Sequence, residues 1–184
     1  MTHAARRPSL PRRTWLGGLL GGGALLLGGC GFELRRTPPL PFTRVALSGF
    51  TPASPLGREL RERLLAAPVQ VIDNLGQAEV VLQALTDKRE KSVVASTASG
   101  QVREVQLRLK FEFRISSPGG RELVPPTELL LSRDMSYSET NALAKAQEES
   151  ELYAAMQTDI VQQVLRRMAR LPGPGGAAAS SPAR

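Results

Sequence analysis

Between Val105 and Ile115 every odd position is apolar (Val105, Leu107, Leu109, Phe111, Phe113, Ile115) and every even one is polar or charged (Gln106, Arg108, Lys110, Glu112, Arg114). Alternate side chains of an extended backbone point to opposite faces, so this period of two describes a strand with one face in a core and the other in water. A strand of that kind belongs to a sheet covered on one side only. The rest of the chain must therefore supply a single apolar layer to cover it.

Loop signals bracket this strand: Ser99-Gly100 before it and Ser117-Pro118-Gly119-Gly120 after it. Three consecutive long strands joined by such turns form an antiparallel meander. The first covers Ala78 to Ala95, apolar at Val80, Val81, Leu82 and Leu85 with a polar middle of Asp87, Lys88, Arg89, Glu90 and Lys91. The third runs from about Glu122 to Tyr137, with Leu129, Leu131, Met135 and Tyr137 continuing one face. Pro125-Pro126 cannot donate ladder hydrogen bonds, which puts that end on a sheet edge or in a bulge. A strand of about 14 residues spans roughly 45 Å, so the meander should project beyond what two helices cover.

Upstream, Thr43 to Ser48 alternates through Val45 and Leu47 as a short strand. Ser54 can then cap a helix with Pro55 at its first position, and Leu56, Leu60 and Leu64 recur every fourth residue until Pro68. Arg58, Glu59, Arg61, Glu62 and Arg63 lie off that stripe as a solvated face. Val69 to Ile72 reads as a short strand or an extended linker, and Asp73-Asn74-Leu75-Gly76 as a turn. A long helix follows from about Asn141 to Leu171, striped by Leu152, Tyr153, Met156, Ile160, Val164, Leu165 and Met168. Its acids Glu148, Glu149 and Glu151 lie toward the start and Arg166, Arg167 and Arg170 at the end, the order the helix dipole favours. This order of elements is that of an α+β layer.

The first 29 residues read as an export signal. Arg6, Arg7, Arg12 and Arg13 precede a glycine-rich apolar run from Trp15 to Leu27, thirteen residues and too short to span a bilayer. Arg12-Arg13-Thr14-Trp15-Leu16 is similar to a twin-arginine signal, and an ordinary Sec leader with adjacent arginines fits equally. Leu27-Gly28-Gly29-Cys30 resembles the lipobox of bacterial lipoproteins, which implies a diacylglycerol and an N-acyl chain on Cys30 at the mature N-terminus. Several chains are what stable anchoring needs, since one acyl chain holds only marginally. Residues 30–41, with Pro38, Pro39 and Pro41, form a tether; the domain occupies 42–171; and 172–184 is a Gly, Ala, Ser and Pro tail too poor in large apolar residues to fold.

Charge and composition exclude several functions. Without the four leader arginines the net charge of +7 falls to +3, and the domain carries no aromatic-interleaved basic patch, so nucleic acid is not an expected partner. The only histidine, His3, lies in the leader, and the only cysteine is the lipidation candidate, so no histidine triad, Cys-His pair or histidine metal site can form. Nor does the domain carry a glycine-rich phosphate loop. Neither catalysis nor any cofactor or metal is expected.

The mature start is more specific. Gly29-Cys30-Gly31-Phe32-Glu33-Leu34-Arg35 resembles the G-C-G-aromatic-x-L-R opening of the LPS-assembly lipoproteins, the LptE family, and the likeness extends to Asn141-Ala142-Leu143-Ala144-Lys145 at the start of the long helix. The resemblance implies two helices packed on one face of a four-stranded mixed, mostly antiparallel sheet. It also implies outer-membrane residence on the periplasmic side, a place as plug inside the LptD β-barrel, and lipopolysaccharide as ligand; Gly31 after the cysteine fits outer-membrane sorting. Lys145 matches a family position implicated in lipopolysaccharide contact. Ala98 stands where the family often has a basic residue at the second hairpin's tip, so the other half of that site falls to Arg103 or Lys91. The polar outer face of the central strand, Arg108, Lys110, Glu112 and Arg114, suits a water-filled barrel lumen. An accessory lipoprotein subunit of another envelope transport complex is the alternative.

Overall fold

Residues 39–173 are described by a computed structural model of the chain. Cys30, the leader and nearly all of the tail lie outside the described residues.

The domain opens with a strand, β1 (Arg44–Ser48), a helix, α1 (Pro55–Leu65), and a second strand, β2 (Gln70–Ile72). Ser54 caps α1 as its sequence suggests: its hydroxyl accepts from Gly57 N at 2.9 Å, and Pro55 takes the first turn, where its missing N–H costs nothing. The chain reverses into α1 at Gly49, whose φ of +77° brings it so close to Ala84 that a Cβ there would sit 2.1 Å from Ala84 O. The helix returns the chain, so β2 pairs parallel with β1, Val45 opposite Val71. That pairing corrects the expected strand number to five while leaving the α+β layer intact: Gln70 to Ile72 is strand, because a helix crossover places the next segment beside the first.

A short 3₁₀ turn, Leu75–Gln77, leads into the meander of β3 (Val80–Ser96), β4 (Val102–Ser116) and β5 (Glu122–Ser136). The sheet order is β2-β1-β3-β4-β5, with β1 parallel to β3 and the meander antiparallel. The register of β4 and β5 slips where Phe113 faces Thr127 and Ile115 faces Val124, placing Pro125-Pro126 in an irregular stretch of an edge strand. A further 3₁₀ turn, Glu139–Asn141, introduces the long helix α2 (Ala142–Met168), whose last turn is extended by Leu171 N donating to Met168 O at 3.2 Å.

Both helices lie on the face carrying the odd residues of β4. Leu56, Leu60 and Leu64 of α1 and Tyr153, Met156, Ile160, Val164 and Met168 of α2 join Val105 through Ile115 in one core. Phe111 stacks on Phe50 and Phe113 with ring centroids 5.9 and 5.4 Å away. On the opposite side of β1, Ala46, Ala78 and Val81 form a smaller apolar cluster with Ile72.

β3 changes phase halfway. Ala84 faces Phe113 but Thr86 faces Glu112, so Leu85 is an extra residue in the ladder and stands 42% exposed. Before it the even residues Val80, Leu82 and Ala84 face the core. After it Asp87, Arg89, Lys91 and Val93 stand opposite Phe111, Leu109, Leu107 and Val105, on the helix side. As the strand length suggests, the far end outruns the helices: Val93 and Val94 are 55% and 49% exposed.

Candidate ligand tip and partner face

Three of the basic residues singled out in the sequence come together at the far end of the meander, around Ser136 and Tyr137. Lys145, in the first turn of α2, donates from Nζ to Ser136 Oγ at 3.0 Å. Lys91 Nζ lies 5.5 Å from the centroid of the Tyr137 ring. Arg103 accepts at its carbonyl from Tyr137 N at 2.8 Å, which holds the start of β4 against the end of β5. The tip is not a bare cationic patch, however. Lys145 Nζ is 2.7 Å from Glu148 Oε2, and Lys91 Nζ is 2.6 Å from Glu149 Oε2. Glu148 and Glu149 thus have named partners besides the helix dipole. An oxyanion arriving at either lysine competes with a carboxylate for the same ammonium protons, whereas among the described residues the Arg103 side chain has no ion pair.

The second predicted group, Arg108, Lys110, Glu112 and Arg114, lies along the face of β4 turned away from both helices. It is laced crosswise to its neighbours. Lys110 Nζ reaches Glu128 Oε2 on β5 at 2.8 Å, and that hydrogen bond, with the carboxylate's charge, holds the ammonium pKa above its ordinary value. Glu112 accepts from Thr86 Oγ1 at 3.2 Å and Arg114 donates to Gln83 Oε1 at 2.8 Å, both on β3. Arg108 donates to Gln106 Oε1 at 2.7 Å, and Gln106 Nε2 donates to Asp134 on β5 at 2.9 Å. Among these side chains Leu130, opposite Lys110 and 54% exposed, is apolar. The face as a whole is hydrogen-bonding and mixed in sign, suited to a wet partner surface more than to an oily one.

A third group lies in the polar middle of β3. Asp87 accepts from Ser54 Oγ at 2.6 Å. Arg89 donates from Nη2 to Gln157 Oε1 at 2.7 Å while its guanidinium sits 5.2 Å from the Tyr153 ring centroid. Gln157 passes the connection on: its amide donates to Glu59 Oε2 at 2.7 Å and to Pro55 O at 3.2 Å, and Thr158 donates to the other Glu59 oxygen at 2.9 Å. The Tyr153 hydroxyl donates to Glu90 O at 2.7 Å; burial first, and the nearby Glu149 charge second, raise its pKa. These contacts clamp α1, α2 and β3 to one another. The signal that would have found them is Gln157 itself, a polar residue interrupting the apolar stripe of the long helix.

Among the described residues no helix is long and apolar enough to cross a membrane, and no cluster of three His, Cys, Asp or Glu could hold a metal.

The likeness to known proteins covers the whole of this architecture. The lipopolysaccharide-assembly family LptE matches residues 42–168. The LPS-assembly lipoprotein LptE of Pectobacterium atrosepticum is 27% identical over 158 residues, 84% of this chain and 85% of that one. Its namesake in Photorhabdus laumondii is 29% identical over 82% of each. Among solved structures, lipoprotein B of Nitrosomonas europaea superposes with a TM-score of 0.64 at 33% identity, covering 76% of this chain and 90% of that one. The rare lipoprotein B of Shewanella oneidensis does so at 0.59 and 30% identity, covering 69% and 94%. With the match running from two residues before β1 to the end of α2, the chain belongs to the LptE family of lipopolysaccharide-assembly lipoproteins, a family of non-enzymatic proteins.

Proposed function

We propose that the protein is an outer-membrane lipoprotein, held on the periplasmic side by a diacylglycerol and an N-acyl chain on Cys30, that sits as a plug in the LptD β-barrel, helps it assemble, and binds lipopolysaccharide on its way to the outer leaflet. The observation that carries the reading is the two-faced meander: one side is sealed by both helices, while the other presents Arg108, Lys110, Glu112 and Arg114 in a hydrogen-bonded polar lattice with no helix over it among the described residues. A barrel lumen lined by polar side chains is a partner of matching chemistry. The basic tip of Lys91, Arg103 and Lys145 supplies the charge type that lipid phosphates need.

Affinity purification of the C-terminally tagged protein from detergent-extracted membranes, with mass spectrometry of what stays bound, tests this directly. A stoichiometric large outer-membrane barrel is the expected result. Recovery of the folded, lipidated protein with a different envelope transport complex and no barrel would replace the plug reading with that of an accessory subunit.

A further inference from the structure

A cavity of about 460 Å³ opens between the β1–α1 loop and the first two turns of α1. Its volume falls in the range of about 300–1,000 Å³ typical of small-molecule sites. One wall is apolar, made by Leu47, Phe50 and Pro52; the other carries the side chains of Arg58 and Arg61. Residues three apart on a helix project on the same side, roughly 5–6 Å apart at Cβ, a spacing at which two guanidinium forks converge on one oxyanion.

Two features keep this pair available. Among the described residues no carboxylate lines the cavity. Glu59, the acid between the two arginines, is turned to the far side of α1 by Gln157 and Thr158, where it also holds Arg63 at 3.7 Å. Arg61 keeps one loose ion pair, 3.5 Å to an Asp73 carboxylate whose side chain is 94% exposed, a contact a better anion can displace. Ser48 and Thr51 add hydroxyls at the rim.

We propose that this groove is a binding site for a phosphate monoester on an apolar stem, Arg58 and Arg61 holding the phosphate and Leu47 and Phe50 receiving the stem. The site shares no residue with the Lys91, Arg103 and Lys145 tip, and its test is independent of the barrel.

The test is a titration of the isotopically labelled full-length protein in dodecyl maltoside, followed through the backbone amides of Gly49 and Gly57 and the side-chain Nε–H of the two arginines. The probes are hexyl phosphate, inorganic phosphate and hexanol. Hexyl phosphate should shift these signals saturably and bind at least fivefold more tightly than inorganic phosphate, with hexanol leaving them in place. Arg58→Gln/Arg61→Gln should weaken hexyl phosphate at least tenfold. Lys88→Gln/Arg121→Gln, which removes the same charge elsewhere, should leave the affinity unchanged. Circular dichroism checks that each variant is folded, and Arg58→Lys/Arg61→Lys provides a variant that keeps the charge and should retain partial binding. Equal weakening by the Lys88/Arg121 pair, or equal affinity in the Arg58/Arg61 pair, would overturn the site. Equal affinity for inorganic and hexyl phosphate would overturn the apolar stem and leave free phosphate as the ligand.

Discussion

Arg89 on β3 and Gln157 on α2, 68 residues apart in sequence, meet at 2.7 Å across the boundary between sheet and helix layer. Gln157 is 9% exposed, accepts from Arg89 at its side-chain oxygen and donates from its amide nitrogen to Glu59 and the carbonyl of Pro55, so a single amide connects the three elements. Removing one partner of such a bond leaves the other to bear its own desolvation, whereas removing both costs less.

The expected outcome is that Gln157→Leu lowers the free energy of unfolding by about 1–3 kcal/mol. Arg89→Met in the Gln157→Leu background should then cost less than Arg89→Met alone. Urea titrations of the two single variants and the double variant measure the coupling, and strict additivity would show that the contact contributes no interaction energy.

Gly49→Ala should be more disruptive than its size suggests. The substitution places a Cβ 2.1 Å from Ala84 O at a backbone angle that side chains avoid, so the loop must move away from β3. Strain of this type costs about 1–3 kcal/mol, and the steric contact adds to it. A urea midpoint indistinguishable from the parent's would contradict the close approach.

Glu79 gives the fold one identifiable acid sensitivity. It accepts from the Thr43 amide at 2.9 Å and the Thr43 hydroxyl at 2.8 Å, with Arg44 beside it, and those bonds hold its carboxyl below the ordinary value of 4.5. A folded-state pKa below the unfolded one adds stability that is fully present above pH 4.5 and is lost as the pH falls through the lowered value. Glu79→Gln should therefore be less stable than the parent at pH 7, with the difference shrinking toward pH 3. A gap that stays constant across that range would remove Glu79 from the acid response.

On the outer face, Arg108→Glu/Lys110→Glu should reduce copurification with the barrel. Lys110→Glu would also set two acids against each other across the present 2.8 Å contact with Glu128, so circular dichroism must accompany the measurement. Unchanged recovery would take this face out of the interface.

At the tip, Lys145→Asp should weaken binding of lipopolysaccharide about tenfold, the scale expected of one charge-assisted contact. Because Lys145 also ties α2 to Ser136, Lys145→Arg is the companion variant and should keep most of the affinity. Equal binding by the parent and Lys145→Asp, measured by displacement of a fluorescent lipopolysaccharide, would eliminate Lys145 as a contact.

The sequence displayed β4, the capped α1 and the long α2 openly, because in each a single periodicity persists from end to end and one strong local cue marks an end. β2 stayed ambiguous, since three residues cannot show a period and only pairing with β1 makes them a strand. The neighbourhood of Lys91, Arg103 and Lys145 was legible in part: Lys145 and Glu148 are three apart on one helix, a pairing that local spacing allows, but the contact of Lys91 with Glu149 depends on where α2 crosses the meander, which local pattern does not encode. The clamp at Arg89 was hidden for a further reason. Asp87, Arg89 and Lys91 are polar like the even positions around them, so the turn of phase at Leu85 left no visible trace.

That extra residue gives β3 two reading frames. Its first half writes its apolar letters on even numbers and its second half points odd numbers at the helices, so Leu85 acts as a spatial frameshift within one strand. A deletion of Leu85 alone would close the bulge and leave both halves on their present faces, because Ala84, Thr86 and Asp87 already stand opposite Phe113, Glu112 and Phe111 in succession. A single deletion between Asp87 and Ser92 would instead turn over either the residues between it and the bulge or those beyond it. The strand's tolerance of a lost residue is therefore concentrated at Leu85.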